Sequence, residues 1–379
     1  MARALACLAL LGIAACPAPS DVTPLIHVDP RAAQRLQWFG ERPAVAEPAP
    51  PPPSPARVHA MKEGEELGGP GATGRPGDWL LENAQVAFVI GQVGGEGGSA
   101  ESRGNVIDAA DARIRKDDLG RMVTSFGATP PESVYRSLRS GTDAAGSAWI
   151  EVIGGGLTQA TLGLTTRYTL HAPDRAMLVE TVLENTGDAP VALASVGDCV
   201  SWGTAESVAP GEARGFAGPS SGVYVGAVGA DASYALTSTD GSIEAVSGGS
   251  RTWTAQRKEV TLAPHARTGY ARVFLVGARP DTASLVGELA LAAGQPVGEV
   301  KVTVAGSAPG TTLQLTPEGS RQPLTLVEPF EATLPEGRYW ITPQQGHRPI
   351  GPLDVKAGTL ATATVENTSV PAAAAASAP

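Results

Sequence analysis

Paired histidines, a cysteine framework, a basic patch and a membrane-length apolar run are all missing from this sequence. Its histidines are His27, His59, His171, His265 and His347, and no two of them form a His-x-His or another close ligand pair. A catalytic metal needs several imidazoles and carboxylates converging on one ion, and local sequence offers no such set. The net charge of −10 excludes nucleic acid as a partner, because that requires a basic footprint. The charge is dispersed and serves solubility. Aromatics make up only 5% and charged residues 17% of the chain. Beyond the N-terminus nothing approaches the roughly 20 apolar residues of a membrane-spanning helix. No cofactor is called for.

Two local patterns imitate ligand sites. Gly94-Gly95-Glu96-Gly97-Gly98-Ser99 is glycine-rich but lacks the Gly-Lys-Ser/Thr of a phosphate loop, and no amphipathic helix follows it. A surface loop is expected there. Asp108, Asp111, Asp117 and Asp118 supply oxygens suited to calcium, but Arg113, Arg115, Lys116 and Arg121 are interleaved among them and oppose a dication. The expectation is a solvated charged segment.

What the chain does have is 46 glycines and 32 prolines among 379 residues. Spread among short apolar runs, they predict many turns and an all-β architecture. The chain opens Met1-Ala2-Arg3 and runs apolar from Ala4 to Ala15, a short positive segment before about a dozen apolar residues, as in a secretory signal. That run ends Ile13-Ala14-Ala15-Cys16: an aliphatic residue and two small ones before a cysteine. This resembles the lipobox of bacterial lipoproteins. The resemblance implies cleavage before Cys16 and acyl chains on that residue. Each buried CH₂ contributes about 0.8 kcal/mol, so more than one chain anchors stably in a lipid bilayer. An ordinary signal cut between Ala14 and Ala18 is the alternative. Pro17 is not the Asp that holds enteric lipoproteins in the inner membrane, which favours the outer membrane, on its periplasmic face or at the cell surface. With Cys7 in the signal and Cys16 acylated, Cys199 would be the last thiol, which leaves no intrachain disulfide. In the largely apolar Val196–Val200 stretch it is expected to be buried and inert.

Residues 1–15 are thus read as signal and 16–60 as a tether, proline-rich at Pro48 to Pro55 and extended at roughly 3.1 Å per residue. A large β domain is expected over residues 61–294. Val86, Phe88 and Ile90 share one face at the strand period. Leu162–Leu170 and Met177–Asn185 read as strands joined by the turn His171-Ala172-Pro173-Asp174-Arg175. Met177, Val179 and Leu183 point inward, while Glu180 and Glu184 point to a wet face. Val223–Val228, Lys258–Leu262 and Tyr270–Val276 are further strands. Asp281 to Ala293 reads as a helix, with Asp281 as N-cap, Leu285, Leu289 and Ala292 on one face, and Gly294 as terminator. A small β domain over 295–367 follows, with about seven strands in roughly 70 residues, and a sandwich is implied. Residues 368–379 form an Ala/Pro tail.

Two further resemblances bear on the body. Phe330-Glu331-Ala332-Thr333-Leu334-Pro335-Glu336-Gly337-Arg338-Tyr339 and Val355-Lys356-Ala357-Gly358 resemble the carboxypeptidase regulatory-like, transthyretin-type sandwiches, which are non-catalytic. Gly74-Arg75-Pro76-Gly77-Asp78-Trp79-Leu80-Leu81-Glu82-Asn83, Gly104-Asn105-Val106-Ile107-Asp108-Ala109 and Glu184-Asn185-Thr186-Gly187-Asp188 are similar to the non-catalytic β region of bacterial PHP-superfamily metallohydrolases of the CehA/McbA type. Those enzymes continue into a metal-binding domain bearing His-x-His, a motif this sequence lacks.

The predicted architecture is all-β: a large antiparallel sandwich, one short linking helix and a small immunoglobulin- or transthyretin-like sandwich. The expected role is that of a membrane-anchored extracytoplasmic lipoprotein whose non-catalytic β domains are structural or bind a cell-envelope protein or polysaccharide. Trp202, Tyr224 and Trp253 are glycan contacts if exposed, and core filling is the favoured reading. One alternative is an accessory or N-terminal part of a PHP-type metallohydrolase. The other is a carbohydrate-active enzyme. If the large domain is supersandwich-like, as in sugar mutarotases, Asp198 with His171 or His265 lines a sugar pocket as paired acid and base.

Overall fold

The computed structural model describes residues 55–94, 103–126, 133–305, 307, 311–343 and 349–365. Cys16, the proline-rich run up to Ser54, residues 95–99 of the glycine-rich loop and the 368–379 tail lie outside them. Alternating apolar residues give each strand an inward face, and two such faces close on one another as the large sandwich. Its first sheet runs, in spatial order, β1 (Arg57–Ala60), β2 (Trp79–Glu82), β3 (Val86–Ile90), β4 (Val106–Asp111), β5 (Arg121–Ser125), β10 (Val191–Ser201), β16 (Arg251–Ala255), β15 (Ile243–Gly248) and β12 (Gly218–Gly222), with β17 (Arg257–Leu262) paired to the outer half of β10. The second sheet runs β11 (Glu206–Val208), β13 (Val225–Val228), β14 (Ser233–Ser238), β18 (Arg267–Val276), β9 (Ala176–Asn185), β8 (Leu162–Leu170), β7 (Ala148–Gly156) and β6 (Ser133–Thr142). The core between them holds Val86, Phe88 and Ile90 opposite Leu164, Tyr168, Met177, Val179 and Leu183, so the inward faces expected for these strands are the observed ones.

The body begins earlier than the expected residue 61. Arg57–Ala60 pairs antiparallel with Glu82–Trp79, and Ala56 is part of the main core, because one more strand covers the open edge of β2. The other face of β3 is also covered. Ala87 and Val89 pack with Met61, Leu67, Leu80, Ile107 and Ala110 in a satellite core. Strands β6 and β14–β16 carry Ser, Thr and Gly at many positions where a clear strand pattern needs large apolar side chains, so the sequence marks them weakly.

The small sandwich pairs a three-stranded sheet, β22 (Glu331–Pro335), β19 (Val297–Val304) and β25 (Leu360–Val365), with a four-stranded one, β21 (Leu324–Val327), β20 (Thr312–Pro317), β23 (Gly337–Thr342) and β24 (Ile350–Val355). The Pro335-Glu336-Gly337-Arg338-Tyr339 turn delivers Tyr339 into the core, where its hydroxyl donates to Pro335 O at 2.8 Å.

The helix, α1 (Thr282–Ala292), starts at Asp281, whose Oδ1 accepts from Ser284 N at 2.7 Å. Its other oxygen accepts from Val327 N at 3.0 Å and so joins the cap to β21. Ala283, Leu285, Val286 and Leu289 share one core with Val228, Ala235 and Leu275 of the large sandwich and Leu326, Phe330 and Leu334 of the small one. The helix is therefore a common wedge that fixes one sandwich on the other.

Contact at the wedge is close enough that a Cβ on Gly287 would be driven into the Thr333 carbonyl. Helix propensity alone favours Gly287→Ala by about 1 kcal/mol. The contact reverses that sign, and a net destabilisation of about 1–3 kcal/mol is expected from overpacking, read from the urea midpoint of the full chain.

Candidate functional site

Two groups of polar side chains are buried in the large sandwich and a third lines a cavity between it and the helix, and their geometry separates scaffolding from a site. The first lies between the sheets. Arg272 of β18 donates Nη2 to Asp198 Oδ1 of β10 at 2.5 Å, and neither side chain is more than 1% exposed. Arg272 Nη1 donates to Thr181 Oγ1 at 2.5 Å, and Nη2 also reaches Thr124 Oγ1 at 3.3 Å. Tyr135 Oη links Thr124 and Thr166 at 3.1 and 2.6 Å. Tyr270 sits beneath the guanidinium at 4.7 Å and donates to Gly197 O, a cation–π contact strengthened by exclusion of water. Burial raises the Asp198 carboxyl and Arg272 pulls the other way. Every donor here belongs to a strand of the sandwich, so the network joins the sheets.

The second group is the aspartate segment, and here the expected solvated stretch is overturned. Asp108, Asp111, Asp117 and Asp118 are all buried, because each carboxylate satisfies a loop backbone that has no strand partner. Asp108 accepts from Thr73 N and Gly74 N, both at 2.8 Å. Asp117 Oδ1 accepts from Leu119 N at 2.9 Å, Ala109 N at 3.2 Å and Tyr234 Oη at 2.8 Å. Asp118 accepts from Asp231 N, Ala232 N and Thr204 Oγ1. Asp111 pairs with Arg175 Nη2 at 2.6 Å. Although burial opposes its charge, hydrogen bonds from Arg113 and Arg175 hold its carboxyl below the ordinary range. Among the described residues no group of His, Cys, Asp and Glu is arranged to hold a metal. The interleaved cations expected to repel a dication partly serve as partners instead: Arg115 bonds Glu82 and the Glu65 carbonyl.

The third group lines a cavity of about 360 Å³ between the β8–β9 turn and α1, over the outer face of β9 and β18. Its polar wall is His171, Asp174, Arg175 and Glu288, and its apolar wall includes Leu178, Val273, Leu291 and Ala292. The wall is pre-formed. Asn83 Nδ2 donates to His171 O at 2.8 Å and to Asp174 O at 2.7 Å, and Ser147 Oγ lies 2.8 Å from His171 Nδ1. Arg175 spends its donors on Asp111, Gln85 and the carbonyls of Val276 and Gly277. Its contact with Glu288 is long, at 3.7 Å. Burial pushes the Glu288 carboxyl up to about 7, with Arg175 opposing and Asp174 adding to the rise. Burial also raises Asp174, against the pull of His171.

The residues expected to share a sugar pocket are therefore apart. His171 lies on the cavity and Asp198 is enclosed between the sheets. His265 is on the exposed β17–β18 turn, its Nε2 3.1 Å from Asp188. In the β9–β18 register Leu275 faces Ala176, beside His171, while Arg267, beside His265, faces Glu184. The two histidines thus stand at opposite ends of a ten-residue strand, about 30 Å long at roughly 3.3 Å per residue. Trp202 and Tyr224 fill the core and Trp253 is half-buried. Cys199 is buried. Sequence reasoning missed Glu288 although a signal was there: it is the lone charge in Thr282–Ala292, flanked by Val286, Gly287, Leu289 and Ala290.

No family model and no curated protein sequence matches the chain. Among solved structures it is similar to a TPR-domain containing protein from Parabacteroides distasonis, with a TM-score of 0.41 and 11% identity over 60% of this chain and 55% of that one. A GH36 alpha-galactosidase from Geobacillus stearothermophilus gives 0.42 and 10%, over 60% and 45% of the two chains. A galactose mutarotase-like protein from Lactobacillus casei gives 0.34 and 10%, over 53% and 100%. The chain thus spans about half the length of the first two, and likeness at this level says nothing about chemistry.

Two predictions follow from the buried charges. Arg272→Met leaves Asp198 as an uncompensated internal charge and should cost about 3–5 kcal/mol. Adding Asp198→Leu should return part of that loss, measured by urea denaturation of both variants. For Asp117, burial reinforced by the Asp108 charge raises the carboxyl to about 8. The folded chain then holds this proton more tightly than the unfolded one. That contribution to stability is complete below about pH 4 and is lost as pH climbs through about 8. Asp117→Asn keeps the acceptor oxygen and removes the titration. Thermal melts of wild type should fall more steeply than those of the variant between about pH 5 and 8; parallel curves would show that Asp117 does not titrate there.

Proposed function

We propose that this protein is a lipid-anchored extracytoplasmic lipoprotein, held in the outer membrane through acylated Cys16, whose two β-sandwiches form one non-catalytic binding body. The observation that carries this reading is the order of parts along the chain. Ile13-Ala14-Ala15-Cys16 is followed by a proline-rich run ending at Pro55, and β1 enters the large sheet at Arg57. A stalk with prolines resists collapse and sets the body at a distance from the bilayer. A binding role is supported by the pre-formed cavity, whose volume falls in the range of small-ligand sites. It is supported also by the uses already made of other buried groups. Asp198 is committed to Arg272, and the aspartates of the 108–118 segment are committed to loop backbones or to Arg175. Cell-envelope protein or polysaccharide is the partner class this placement would offer.

The test is metabolic labelling with a fatty-acid analogue combined with membrane fractionation. Wild type should carry label and sediment with membranes, and Cys16→Ser should lose both properties. Recovery of an unlabelled chain from the cytosol with Met1 intact would overturn the proposal.

A further inference from the structure

The cavity beside α1 has an electrostatic imbalance that its own residues do not resolve. Glu288 enters from the helix and Asp174 from the β8–β9 turn. The Glu288 side chain is 16% exposed. Among the described residues no hydrogen-bond donor reaches either carboxylate. The cation on the wall, Arg175, is matched by Asp111 at 2.6 Å and reaches Glu288 only at 3.7 Å. His171 is held by Ser147 through Nδ1. Asp111 is shared between Arg113 at 3.2 Å and Arg175, and neither guanidinium comes within hydrogen-bond distance of Asp174 or Glu288. Charge on partly buried carboxyls is costly unless it is paired or protonated, and burial already raises both groups. The remaining wall is apolar: Leu178 and Val273 form the floor, and Leu291, 46% exposed, stands on the helix rim. A large aliphatic side chain left open at the mouth of a pre-formed cavity suits an apolar ligand group.

We propose that this cavity binds a small organic cation, an ammonium carried on an apolar group, with the charge between Asp174 and Glu288 and the apolar part against Leu178, Val273 and Leu291. A metal ion is a poorer fit, since no group of three ligating side chains converges among the described residues. A neutral polyol would leave both carboxylates without a counter-charge. The assignment deepens the binding role proposed above but does not depend on the anchor. Loss of labelling at Cys16 would leave it standing, and failure of ligand binding would leave the anchor standing.

The probe is 2-phenylethylammonium, titrated calorimetrically into the full-length chain, with 2-phenylethanol as the uncharged control. The ammonium should bind with Kd of about 1 mM or tighter and at least about tenfold better than the alcohol. Glu288→Gln and Asp174→Asn should each weaken it by about tenfold or more, with melting curves confirming that both variants fold. The probe stays protonated on going from about pH 8 to about pH 5.5, while the raised carboxyls gain protons, so affinity should fall over that range. Equal binding of amine and alcohol, no binding of either, affinity that rises on acidification, or unchanged affinity in both folded variants would overturn the assignment.

Discussion

A single ion pair between the two large sheets sets the terms for the residues around it. Taking Asp198 and Arg272 out of water costs several kcal/mol per ion, and their attraction offsets this only with good geometry and further hydrogen bonds. The sandwich supplies these from both sheets: Thr124 from one, and Tyr135, Thr166, Thr181 and Tyr270 from the other. Each must face inward. Side chains alternate along a strand, so a slip of one residue in β5, β10, β9 or β18 would turn a member of this set to the outside and strand the rest. The pair therefore constrains register, in a core that apolar side chains otherwise fill.

The same logic operates at the sheet ends. Loops that cannot join a ladder still carry backbone amides that need acceptors. Asp108, Asp117 and Asp118 provide them at positions where the chain passes close by; a Cβ on Gly74 would meet Asp108 Oδ2 at 2.6 Å. Arg175 is the hinge between this scaffold and the cavity. It ties β4 to the end of β18 through Asp111 and the carbonyls of Val276 and Gly277. Because that tie consumes the guanidinium, Glu288 and Asp174 are left facing open space. The acidic wall of the cavity is a consequence of how the scaffold is held together.

Legibility followed from how local each cause was. The capped helix at 282–292, the β8–β9 hairpin and the Pro335–Tyr339 turn were readable because their signals lie within a few residues: an Asp cap with apolar spacing, a period of two, a Pro-x-Gly-x-Tyr run. The sugar pocket built on Asp198 with His171 or His265 does not form because Asp198 is enclosed between the sheets with Arg272, a partner 74 residues away that no local pattern reports. The aspartate run looked solvated because charges are usually exposed. Its backbone partners at Thr73, Asp231 and Ala232 are up to 114 residues away, and no local pattern announces such a pairing.

The sequence by itself determined an all-β body in two sandwiches with one helix between them, because glycine, proline and strand alternation act over a handful of residues. It also carries the lipobox-like segment, which is a matter of local side-chain size. Only the tertiary structure decided which charges are structural and which are available. That depends on the distance from each carboxylate to donors elsewhere in the chain, and chain folding alone brings Arg272 to Asp198 and Arg175 to Asp111 while leaving Asp174 and Glu288 without a hydrogen bond from a cation.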